Sequence, residues 1–157
     1  MNAYLMFKAL HVLSAIIVFG TGIGIAWYAM RGWRTGDTHI MRWISAETVA
    51  ADWIFTTAAI LLLLGSASGM LYSNPALLGF TWLRLSAILT LLVFCLWVPV
   101  VYIQYGIRRR LRNRSGHAGQ EGDPGIRRLV HYWYLLGALA LPLMIAIVFL
   151  MVTKPAL

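Results

Sequence analysis

Four stretches of this chain are each long and apolar enough to cross a lipid bilayer. They run over about 4–30, 49–71, 82–105 and 129–152. A spanning helix needs about 20 mostly apolar residues. In lipid every backbone N–H and C=O must find a partner within the segment, so each stretch reads as a helix. The expected fold is all-α: a four-transmembrane-helix bundle made of two helical hairpins, in one integral membrane domain over 1–157.

Composition supports lipid as the solvent. The chain is 61% hydrophobic and 11% charged, against about 25% charged in ordinary soluble domains. Its net charge of +8 is also unevenly placed. Ten of the 13 lysines and arginines fall in the connections 31–48 and 106–128, seven of them between Arg108 and Arg128. The remaining three are Lys8, Arg84 and Lys154. Basic loops beside spans stay in the cytoplasm. The expected topology therefore has both connections cytoplasmic and both termini outside. No basic-aromatic module accompanies the charge, so nucleic acid is not an expected partner.

The connections differ in character. The first is polar and basic. The second, Tyr72 to Gly79, is short and uncharged, with Ser73-Asn74-Pro75 as a turn signal. The third contains Gly116, Gly119, Gly122 and Pro124. The first apolar run continues too far to read as a cleaved leader. Cys95 is the single cysteine, so no internal disulfide is expected. Tryptophans 27, 33, 43, 53, 82 and 133 fall near span ends and read as an interfacial belt. Gly20, Gly22 and Gly24 in the first span, and Gly65 and Gly69 in the second, read as close helix packing. Pro99 and Pro142 each remove a backbone donor inside a span and predict kinks.

Ionisable groups inside a span are costly and mark candidate sites. His11 shares a helical face with Ala15, Phe19, Gly22 and Ala26. Two readings stand side by side: an axial ligand for haem iron, or a histidine hydrogen-bonded to a neighbouring helix. Arg84 and Lys8 lie toward the same outer side and are candidate partners for haem propionates; snorkelling to headgroups is the alternative. Met70, Met144 and Met151 are candidates for a second axial position or for plain packing. His131 cannot share a haem with His11. His11 lies roughly 30 Å from Arg31, and His131 roughly 5 Å from Arg128, along their helices. A second polar group gathers Glu47, Asp52, Thr56, Gln104 and Arg128. Asp52 and Thr56 are four apart on one face, and Asp52 is expected to take an arginine or a backbone cap, or to serve a proton path. His39 and His117 lie in polar connections without a second ligand at fixed spacing.

Several motifs together resemble the domain-of-unknown-function family 2269, small bacterial integral membrane proteins. They are Lys8-Ala9-Leu10-His11, Phe19-Gly20-Thr21-Gly22, Ala51-Asp52-Trp53-Ile54-Phe55-Thr56, Trp97-Val98-Pro99-Val100-Val101 and Leu150-Met151-Val152-Thr153-Lys154-Pro155. The resemblance implies a multi-pass protein of the bacterial inner membrane. Leu10-His11 is also remotely similar to the early Leu-His pair of HemJ-type protoporphyrinogen oxidases and CopD-type copper-resistance proteins. The HemJ likeness implies haem b at His11, with Arg84 as the basic residue opening a later helix. The pair Pro-Arg expected after Gly22 in the HemJ type is not there. The leading expectation is thus a haem b protein with a redox or electron-transfer role. Two alternatives are a cofactor-free scaffold, as a homo-oligomer or with a membrane partner, and a proton or small-solute conductor built on Asp52.

Overall fold

The computed structural model describes residues 2–113 and 123–156. Among these the chain is helical throughout, with no strand. Helix α1 covers Ala3–Arg34 and α2 covers Thr38–Ala51. A π-helical turn, Asp52–Thr57, joins α2 without a break to α3, Ala58–Ser73. A short 3-10 turn at Pro75–Gly79 leads to α4, Thr81–Asn113, and α5 covers Pro124–Thr153. Four continuous helices, Ala3–Arg34, Thr38–Ser73, Thr81–Asn113 and Pro124–Thr153, are long and apolar enough to span a membrane. Residues 114–122, which include Gly116, His117, Gly119 and Gly122 of the third connection, lie outside the described residues.

The helices outrun their apolar segments at the arginine-rich end, and local capping explains why. Asp37 accepts from the amides of His39 and Ile40, at 2.7 and 3.3 Å, and so starts α2 inside what reads from sequence as a polar connection. Gly36, at φ 69°, supplies the left-handed turn between α1 and α2. Asp123 caps α5 through the Gly125 amide at 2.8 Å, with Pro124 at the first helical position, where its missing N–H costs nothing. At the far end α5 stops on Lys154 in the left-handed region, followed by Pro155. The Lys154 ammonium sits 5.7 Å from the Trp82 ring and ties the ends of α4 and α5 that lie away from the arginines. The helical runs continue through Pro99 and Pro142.

Two hairpins result: α1 packs on α3, and α4 packs on α5. They are joined at the arginine-rich end, where α2 lies against both α1 and α4. The core there comprises Ile25, Ala29 and Trp33 of α1, Ile44 of α2, Ile107 and Leu111 of α4, and Ile126 and Trp133 of α5. The Trp33 and Trp133 rings meet edge to face at 5.0 Å. The Trp33 indole N–H donates to Ser45 Oγ at 3.2 Å and fastens α2 to α1. Trp33, Trp82 and Trp133 are therefore packing residues, whereas Trp27, Trp43 and Trp53 are exposed as a belt requires. A belt reading from span ends alone overlooks that a ring near an interface can turn inward.

Small residues play unequal parts. A Cβ at Gly69 would come within 2.7 Å of the Phe7 ring, so Gly69 sets the α1–α3 approach. A Cβ at Gly32 would collide with Ile44 of α2. Cβ atoms at Gly20, Gly22, Gly24 and Gly65 would meet nothing within 4 Å. Gly32→Val is expected to lower stability by about 1–3 kcal/mol through this overpacking. Gly24→Ala should leave it unchanged or raise it by up to about 1 kcal/mol through helix propensity. Thermal melting in detergent checks both; equal melting of the two variants would contradict the placement of α2 on α1.

Candidate functional site

Between the hairpins, beyond the joining core, lies a cavity of about 520 Å³. Its walls are apolar: Ala15, Phe19 and Gly22 from α1, Leu63 from α3, Trp97 from α4 and Met144 from α5 are representative. It is a cleft with an open flank, since Ile23, Trp27, Leu141 and Val148 line it and yet remain exposed.

The cleft carries a buried polar group, formed by Asp52, Thr56 and Gln104. The π turn positions the first two. Thr56 Oγ1 donates to Asp52 Oδ1 at 2.9 Å. Thr57 Oγ1 donates to the Asp52 backbone carbonyl at 3.0 Å within the same turn. Single π turns within α-helices recur at functional sites. Gln104 of α4 approaches the Asp52 carboxyl from the other hairpin. The sequence expectation of an arginine or a backbone cap on Asp52 gives way to the neutral Thr56 hydroxyl. Trp53, next to Asp52, points out of the cleft and donates to the Tyr105 hydroxyl.

His11 sits one turn beyond Ala15, at the α1–α3 contact. Its Nδ1 lies 3.1 Å from the Leu63 carbonyl and 3.4 Å from Ser66 Oγ. A carbonyl only accepts, so the Nδ1 proton points to Leu63; in the neutral imidazole this tautomer leaves the lone pair on Nε2. The residues grouped with His11 from sequence do not converge on it. Lys8 is exposed and lines a shallow outward face with Leu5, Val12 and Leu13. Arg84 is exposed and turns its Nε to the Leu78 carbonyl at 3.0 Å. Met144 lines the cleft; Met70 and Met151 are partly buried and do not. His131 is exposed beside Tyr132, with ring centres 6.4 Å apart. Glu47 and Arg128 are exposed and outside the cleft. No group of three or more His, Cys, Asp or Glu side chains suited to a metal ion occurs among the described residues.

Trp133, Tyr134 and Gly137 on α5 also line the cleft. From sequence Trp133 reads only as a belt residue and Tyr134 and Gly137 carry no assignment, although Gly137, Ala138 and Ala140 form a run of small residues that signals space or close packing.

An apolar four-span bundle of this kind defines a small multi-pass membrane protein. The chain belongs to the family described as predicted integral membrane protein (DUF2269), whose model matches residues 5–155. No curated protein and no solved structure matches it.

Proposed function

We propose that this protein binds a small lipid-soluble molecule in the cleft between its hairpins, with the chain lying in a bacterial inner membrane and both termini outside. The observation that carries the reading is the cleft itself: an apolar volume of about 520 Å³ that meets the buried group of Asp52, Thr56 and Gln104. Mostly apolar concavities with a few placed polar groups are the usual form of a small-molecule site. The open flank gives such a molecule a way in from the bilayer. Gly137 supplies the test, because its Cα borders the cleft and an added Cβ meets nothing within 4 Å. Decylbenzene is expected to raise the melting temperature of the purified protein in micelles. Gly137→Phe should fill the cleft, keep the fold and abolish the rise. A rise that survives in Gly137→Phe places binding elsewhere and overturns the reading.

His11 favours a second reading, haem b with a redox role. Its Nδ1 is held by a backbone carbonyl, the arrangement that orients an imidazole and leaves Nε2 for a metal. The residues fit a haem in this respect and not in another: Lys8 and Arg84 face elsewhere, so the propionates have no cation from them. A bound haem would supply one-electron chemistry, and His11 would hold its iron. The reading expects a Soret band in protein purified from haem-supplemented cells, lost in His11→Ala. No band, or one unchanged in that variant, rejects it.

A further inference from the structure

The cleft is elongated along the bundle. Its lining residues run from Ala15 to Met30 on α1 and from Trp133 to Val148 on α5. At 1.5 Å per residue each run is roughly 22 Å long. One leaflet contributes roughly 15 Å to the hydrocarbon core of a bilayer. The space therefore extends for the full depth that a lipid's acyl chain occupies. Its half away from the arginines is walled by hydrocarbon, with Val18, Leu63, Met144 and Ile147 as examples. The Thr90 hydroxyl there donates back to the Ser86 carbonyl at 2.8 Å. Asp52 is 7% exposed and accepts from Thr56, so little of its carboxyl meets an occupant.

Charge marks the other end. Ile23 and Trp27 line the cleft and form part of its open flank. Arg31 and Arg34 continue the same helical face, at intervals of four and then three residues. The Arg31 guanidinium lies 5.8 Å from the Trp27 ring centre, which sets a cation beside the opening. Both arginines are exposed, and neither forms an ion pair among the described residues. Arginine pairs with phosphate through two parallel N–H···O bonds. A lipid whose chain enters along the flank brings its headgroup to their level. We propose that the cleft takes one acyl chain of an anionic phospholipid, with the phosphate held by Arg31 and Arg34 and the second chain left in the bilayer. This inference rests on the cleft reading above and names the class of its occupant.

Melting of the purified protein in neutral micelles, with rising mole fractions of dioleoylphosphatidylglycerol or dioleoylphosphatidylcholine, tests it. The two lipids share their chains and differ in headgroup charge. Phosphatidylglycerol is expected to stabilise at about tenfold lower mole fraction, the scale of two arginines on an anionic headgroup. Replacing both arginines, Arg31→Gln with Arg34→Gln, should remove that preference. Stabilisation by decylbenzene should persist in the double variant, which reports an intact fold and cleft. Arg109→Gln, on the side of α4 away from its lining residues, should keep the preference. Gly137→Phe should abolish it, because the chain has no room. Equal action of the two lipids, or a preference that survives without Arg31 and Arg34 or falls equally in Arg109→Gln, overturns the headgroup assignment and leaves the cleft reading standing. A preference that survives Gly137→Phe puts the headgroup on the arginines with no chain in the cleft, and overturns the inference. Inorganic phosphate that stabilises as well as phosphatidylglycerol also overturns it, in favour of a free anion. Failure of decylbenzene together with both lipids overturns the cleft reading as well.

Discussion

The contact between Trp33 and Trp133, with the aliphatic residues around it, holds the two hairpins to each other. Lipid gives helices no hydrophobic reason to associate; close packing and hydrogen bonds must do it. Near the arginines, water is the alternative surrounding, and apolar burial becomes favourable again. The core accordingly gathers within a few turns of Arg31, Arg108 and Arg127. Farther along, each hairpin packs within itself, through Phe7 on Gly69 in one and through Lys154 on Trp82 in the other. Between them the helices leave space. The cleft follows from closing a bundle at one end only.

The polar group in the cleft sits where the joined region opens. A carboxyl at membrane depth is costly, and here the neutral Thr56 hydroxyl donates to it. The π turn keeps Asp52 and Thr56 in contact while the Thr57 hydroxyl donates to the Asp52 carbonyl. Gln104 lies beside Asp52 from the other hairpin and is itself almost fully buried.

Helix number was legible because length and hydropathy need no tertiary information. The four-residue spacing of Asp52 and Thr56 also read correctly as one face, and the two side chains meet at 2.9 Å. The start of α2 was not legible from apolar content, since Arg42 and Glu47 make the segment polar. Its buried positions, Ile44, Ser45, Thr48 and Val49, recur at helical spacing, but half of them are polar. Lys8 and His11 are three apart, close enough on a helical wheel to suggest a shared face; the wheel does not say that α3 covers His11 and leaves Lys8 outside. The cleft was invisible for a similar reason. It is a relation between hairpins, and no single helix carries its signal.

The central claim is that this space is real and open to lipid. Oxygen accessibility of a nitroxide attached at Gly137, in a Cys95→Ser background in nanodiscs, measures it directly. Cys95 is exposed on α4, so its replacement leaves the core untouched. The account predicts a mobile label with oxygen accessibility approaching that of one at the lipid-facing Phe149. An immobile label shielded from oxygen would mean that the hairpins close on each other along their length, and would contradict it.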